Sequence, residues 1–238
     1  MRFYRPVAPV KAMTFDLDDT LYNNDPIIKR AEATLKHYIA AEYPQTAKLS
    51  PQEWTDIKRG LIKAQPALAS DMGQLRMHTL RQALEQDIQD PEALEAAAKA
   101  CFDCFYDARS DFTLDDSVHS VLAQLAEKMP LIAITNGNVD PHKTGLSAYF
   151  NVVLHASVTR PAKPSAHMFD EAAAMLSLAP GQILHVGDNL EKDVMGAVKA
   201  GYQAAWIAAN RDMILNREAA TLLPHVELSS LDELLAFI

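Results

Sequence analysis

What most constrains the fold of this chain is a series of short apolar runs, the first of which ends in acids. Residues 10–16 form the first, closing on Phe15 and Asp16; residues 131–135, 183–187 and 204–207 resemble it, and 152–154 is a weaker candidate. Each has the length of a strand, and continuous apolar character is what a strand buried on both faces requires. Amphipathic segments lie between the later runs, for instance Leu114, Val118, Val121, Leu122 and Leu125, or Phe169, Ala172, Ala173 and Leu176. Strands alternating with helices predict an α/β fold, a Rossmann-like, doubly wound parallel sheet covered on both faces. Such sheets bind ligands at the carboxyl ends of their strands, so the residues that follow each run carry the functional information.

The alternation stops over residues 22–112, which read as helices only. Asp25-Pro26 and Asp90-Pro91 each offer an acceptor at the cap and proline at the first helical position, and Ser50 with Glu53 forms a capping box. Ile28, Ala31, Leu35 and Tyr38 give one apolar face, and Met72, Leu75, Thr79 and Ala83 another. With a segment at 54–64 and a fourth helix around residue 100, they predict an inserted all-α, four-helix cap at 22–112, leaving 1–21 and 113–238 to build the sheet core. Cys101 and Cys104 have the spacing of a redox pair or half a zinc site. Yet Leu94, Ala98, Cys101 and Phe105 step by four, three and four, as the buried stripe of a helix does, and no second pair of zinc ligands accompanies them. The thiols are expected to be packing residues.

Apolar residues make up 49% of the 238 and charged residues 22%, enough apolar material for a sizeable core. The formal net charge of -9 argues against a nucleic-acid partner, which clustered Lys and Arg would have to hold. No apolar run has the length of a membrane span, and residues 1–6 lack the apolar core of a signal peptide, so no membrane partner and a cytoplasmic location are expected.

Asp16, Asp18 and Asp19 put three carboxylates within four residues directly after the first strand. Such a cluster repels itself unless a cation or proton sits among the charges, and a hard divalent ion is the natural partner. Alone it could be a solvated acidic turn. The other strand ends bring complementary groups: Thr135, Asn136 and Gly137 after the second, Gly187 and Asp188 after the fourth, and Asp193 shortly beyond. Lys163 lies between Pro161 and Pro164, which restrict its loop. A nucleophile, an acid or base, a phosphate clamp and a metal site would then share one sheet edge. His185, inside an apolar run, reads as a hydrogen-bonded core histidine.

These motifs, in this order and over nearly the whole chain, resemble the haloacid dehalogenase superfamily: Asp16-x-Asp18-x-Thr20-Leu21, Thr135, Lys163, and Gly187-Asp188 with Asp193. In that family a helical insertion after the first motif is the type-one cap. The resemblance implies a Mg2+-dependent phosphomonoester hydrolase, with Asp16 as the nucleophile that forms an aspartyl phosphate and Asp18 as the acid and base. Magnesium would be held by Asp16, the Asp18 main-chain carbonyl and Asp188, with Asp193 in support. Thr135, Asn136 and Lys163 would bind the phosphoryl group, and Arg76 in the cap would contact the substrate. An acid at position 18 fits the phosphatase branch, because the dehalogenase branch lacks it. Residues 2–6, 14–22, 134–138 and 183–188 are similar to a branch acting on flavin mononucleotide and on the phosphorylated ribitylaminouracil of riboflavin synthesis, so a small phosphorylated metabolite is the expected partner.

Two other classes compete. A phospho-aspartate receiver gathers similar groups, but its phosphoacceptor follows a middle strand in a much shorter chain. A binding protein on a degenerate phosphatase scaffold would have lost at least one motif side chain, and all are present here. Oligomeric state is not legible.

Overall fold

The computed structural model describes residues 1–218 and 221–238. Its centre is a seven-stranded sheet of β1 (Arg2–Phe3), β2 (Ala12–Phe15), β3 (Leu131–Thr135), β4 (Val152–His155), β5 (Ile183–Gly187), β6 (Gln203–Trp206) and β7 (Val226–Glu227). The order across the sheet is β1-β7-β6-β5-β2-β3-β4, with every neighbouring pair parallel except β1 against β7. The chain leaves β2 toward β3 and β4, then returns to the other side of β2 to lay down β5 and β6. The connections therefore reverse at β2, and the crevice at its carboxyl end is where a sheet of this kind takes its ligand.

The first four helices after β2 are α1 (Asp25–Glu42), α2 (Pro51–Ala64), α3 (Met72–Leu84) and α4 (Pro91–Arg109). They form the helical cap, whose core gathers Ala31, Leu35, Ile39, Leu80, Leu84, Leu94, Ala98, Cys101 and Phe105. The cysteine stripe is buried as expected, and burial pushes the Cys101 thiol up to about 12, which leaves it inert at neutral pH. Ser50 makes its capping box with Glu53, and Asp90 accepts from the Ala93 N–H.

The register of α1 corrects the sequence reading. Asn24, not Asp25, is the cap residue, and the buried face is Ile27, Ala31, Leu35 and Ile39, with Ile28 and Tyr38 at its margin. Both faces satisfy helical spacing, and packing on α4 selects the one with a four-residue step. In α3, Met72 is exposed while Leu80 and Leu84 join Leu75, Thr79 and Ala83 inside. The α2 helix buries no residue fully.

The sheet is covered by α5 (Asp116–Ala126) and the C-terminal turn around Leu234 on one face, and by α6 (His167–Leu176) and α7 (Gly196–Lys199) on the other. Side-chain alternation on β2 sends Met13 and Phe15 to the first face and Ala12 to the second. The antiparallel β1–β7 edge escapes sequence reading, because two-residue strands carry no periodicity.

Candidate active site

The chain turns sharply after β2. The N–H groups of Thr20 and Leu21 return to the Leu17 carbonyl, and Asp19 takes a left-handed conformation with φ of 61°, tolerated by aspartate because its short polar side chain bonds locally. That side chain accepts the Asn24 N–H at 2.9 Å. The turn buries Leu17 and Leu21 and leaves Asp16 and Asp18 toward the crevice.

There Asp16, Asp18, Thr135, Asn136, Lys163, Asp188 and Asp193 line one cavity of about 240 Å³. Lys163 is its hub: Nζ stands 2.7 Å from Asp16 Oδ1, 2.6 Å from Asp193 Oδ1 and 2.6 Å from the Ile134 carbonyl. Burial would lower the lysine, but the two carboxylates outweigh it and raise it above its usual range, so Lys163 stays a cation. For Asp193, burial opposes ionisation, and the ammonium of Lys163 with the His185 hydrogen bond overcomes it, holding the carboxyl below its usual range. Asp16 goes the other way: burial raises it, Asp193 and Asp18 add to the rise, and Lys163 only partly offsets them. One cation shared by two buried carboxylates leaves a deficit of positive charge at Asp16.

The same deficit reaches Asp188, pushed up to about 6 by burial and by Asp193, against the pull of Arg211. Asp16, Asp188 and Asp193 each bring a carboxylate oxygen within 4.8 Å of the others. Oxygen donors short of positive charge fit a hard divalent cation such as magnesium. Asp193 is the least free of the three, since its oxygens already accept from Lys163, from His185 at 3.3 Å and from the Asn189 N–H at 2.9 Å.

Gly187 and Asn189 explain how Asp193 reaches the site. Asn189 caps the helix that begins there, accepting from the N–H groups of Glu191 and Lys192, and the first turns at Leu190–Met195 are π-helical, a geometry found often at functional sites. A β-carbon at Gly187 would stand 2.4 Å from Asp193 Cβ, so only glycine admits the approach. Behind it, buried His185 bonds Thr14 Oγ1 at 2.8 Å on its other nitrogen, as a core histidine should.

Thr135 Oγ1 accepts the Gly137 N–H at 3.0 Å, which folds the end of β3 around the cavity. Asn136 differs from expectation in what its side chain does. Its amide nitrogen donates to the Lys163 carbonyl at 3.0 Å and its oxygen accepts the Lys163 N–H at 2.8 Å, so the side chain fastens the lysine loop. Arg76 is not brought to this cavity. It bonds Glu32 at 2.8 Å, lies 3.4 Å over the Phe105 ring and faces a separate cap cavity of about 550 Å³ beside Trp54 and Lys36.

Three residues around the site went unread in the sequence. Arg109 and the Tyr22 hydroxyl both donate to Asp18, the tyrosine at 2.6 Å. Arg211 donates to Asp188 Oδ2 at 2.7 Å and to its carbonyl at 2.9 Å. A signal for Arg109 existed, since four residues beyond Phe105 the buried stripe of α4 lands on it.

Residues 10–201 match the model of the family described as haloacid dehalogenase-like hydrolase. The 5-amino-6-(5-phospho-D-ribitylamino)uracil phosphatase YigB of Escherichia coli is 37% identical over 238 residues, covering 100% of both chains. A phosphoserine phosphatase of Thermus thermophilus is 28% identical over 226 residues, 83% of this chain and 88% of its own. Among solved structures, a 2-haloacid dehalogenase from Pseudomonas syringae superposes with a TM-score of 0.89 at 31% identity, over 96% of this chain and 97% of that one. The chain belongs to the haloacid dehalogenase-like hydrolase family and is, within it, a phosphatase.

Proposed function

We propose that the chain hydrolyses phosphomonoesters with magnesium through an aspartyl phosphate on Asp16, and that its substrates are flavin mononucleotide and 5-amino-6-(5-phospho-D-ribitylamino)uracil. The observation that carries the reaction type is Asp16 at the carboxyl end of β2, bonded to the buried ammonium of Lys163 in a cavity that Asp18 also lines. The full-length similarity to YigB supports the ribitylaminouracil substrate; flavin mononucleotide rests on the motif resemblance.

Asp16 would attack phosphorus while Asp18 gives its proton to the departing alcohol, dividing one slow displacement into two easier ones. Asp18 would then take a proton from the water that cleaves the aspartyl phosphate. Lys163 and the Thr135 hydroxyl would bind the phosphoryl oxygens, over which charge is dispersed in the transition state. Asp16, Asp188 and the Asp18 main-chain carbonyl would hold magnesium, with Asp193 in support, and the ion supplies the positive charge that two carboxylates sharing one lysine lack.

Dehalogenation is the second reading, favoured by the Pseudomonas syringae structure. Asp18 weighs against it, because release of halide needs no proton donor. The test is phosphate and halide release from a panel holding both proposed substrates, other sugar and nucleotide phosphates and a 2-haloacid, with and without magnesium, for the native chain and Asp16→Asn. Magnesium-dependent phosphate release abolished by the substitution is the expected result. Halide release without phosphate release would overturn the phosphatase mechanism, and preference for an unrelated phosphate would overturn the substrate assignment alone.

A further inference from the structure

We propose that Arg109 is a positioning residue for Asp18: together with Tyr22 it holds one carboxylate oxygen, so that the proton travels through the other. The proposal rests on the reading of Asp18 as acid and base. Both donors converge on Oδ1, the arginine through Nη2 and the tyrosine through its hydroxyl. Oδ2 lies against the turn at the end of β3: a β-carbon built on Gly137 would meet it at 2.4 Å and the Thr135 hydroxyl at 3.3 Å. That turn is a wall of the catalytic cavity.

Arg109 is a costly way to obtain stability alone. It is 1% exposed, and among the described residues its Nη1 is buried with no hydrogen-bond partner. A buried ion pair is weak support for a fold, because desolvation consumes most of the attraction, and an apolar residue of similar size often serves as well. Its location supplies a reason for keeping it. Arg109 ends α4, where the chain returns from cap to sheet, and Tyr22 lies where the chain departs. Tyr22 and Phe112 pack their rings 4.5 Å apart across the two connections. Asp18 is therefore gripped from both links between cap and core.

In the first step an Asp16 oxygen bonds to phosphorus as the ester P–O bond breaks, and the proton on Asp18 Oδ2 passes to the alcohol oxygen. In the second, water oxygen bonds to phosphorus, its proton goes to Oδ2, and Asp16 leaves as a carboxylate. Two donors on Oδ1 satisfy that oxygen as an acceptor and leave Oδ2 as the site for the proton.

The experiment compares kcat/KM for an alkyl phosphomonoester and for p-nitrophenyl phosphate, whose leaving group departs without a proton, in the native chain, Arg109→Met, Arg109→Lys and Tyr22→Phe. Arg109→Met is expected to lose roughly 100-fold on the alkyl ester and less than about threefold on the nitrophenyl ester, the signature of impaired acid catalysis. Arg109→Lys should recover most of the loss, and Tyr22→Phe should show the same asymmetry in smaller measure. Equal losses on both esters, or no loss on either, would overturn the proposal. Should Arg109→Met fail to fold by circular dichroism, Tyr22→Phe decides by the same comparison. Failure of the underlying reading looks different: the native chain would release phosphate from neither ester, or Asp16→Asn would keep its activity.

Discussion

A glycine and a lysine show how tightly single residues are specified at this sheet edge. Lys163 was legible because prolines flank it, and Asp16, Asp18 and Asp188 because each follows an apolar run. Asn136 was found but given another task, since nothing in a sequence tells whether an amide faces a ligand or the main chain of a distant loop. Arg109 was missed because an arginine at a helix end ordinarily reads as a solvated partner of the helix dipole. Gly187 gives the sharpest residue-scale prediction. Gly187→Ala would push its β-carbon into Asp193 and lever that carboxylate off Lys163 and His185. Turnover should fall by up to roughly 100-fold, the scale reached when a mutation misplaces groups at the reacting centre by about an ångström, and stability by about 1 to 3 kcal/mol, as in overpacked cores. Steady-state kinetics and urea unfolding read both, and a variant with native turnover would show that Asp193 needs no such support.

Elements were legible where periodicity is long. All four cap helices, α5 and α6 announced themselves, whereas the face of α1 differs at its two ends, Ile27 for Ile28 and Ile39 for Tyr38, because both sets keep helical spacing from Ala31 and Leu35. What no pattern reveals is how distant elements are tied, and the link from α1 to α2 illustrates it. Asp87, just past α3, accepts from the Gln45 N–H at 3.0 Å, the Thr46 N–H at 2.7 Å and the Thr46 hydroxyl at 2.7 Å. Slight burial raises its carboxyl, but these donors outweigh it and bring the net position below the usual range. A carboxyl depressed by folding contributes stability above its unfolded pKa and loses it as pH falls through the folded value. Asp87→Ala should therefore cost about 0.5 to 2 kcal/mol at pH 7, the scale of losing a helix cap, with the difference narrowing below roughly pH 4, the unfolded aspartate value. Thermal unfolding across pH 3 to 7 measures it, and a pH-independent cost would mean that the ionised form is not what anchors the loop.

At the scale of the molecule, the parallel sheet and the cap were legible, but the strand order was not, because it depends on which side of β2 the chain chooses after α6. That choice puts β5 beside β2 and so sets Asp188 next to Asp16, creating the uncompensated negative charge at the crevice. The charge has a global consequence if magnesium relieves it. An ion that binds only the folded chain stabilises it by about 2.7 kcal/mol at a hundredfold excess over Kd, which for a chain of this size raises Tm by roughly 5 to 10 °C. The structure supplies a local reporter for the same event. Trp206 is fully buried and its indole N–H donates to the Asp188 carbonyl at 2.7 Å, while the other tryptophan, Trp54, sits in the cap. In a Trp54→Phe background, magnesium should change Trp206 emission and raise Tm over the same concentration range. Asp188→Asn should abolish both responses while leaving the metal-free Tm near or above native, since it removes a carboxylate already pushed up to about 6 by its surroundings. A Tm rise without an emission change would locate the ion away from Asp188, and neither response would mean that Lys163 and Arg211 alone balance the acids.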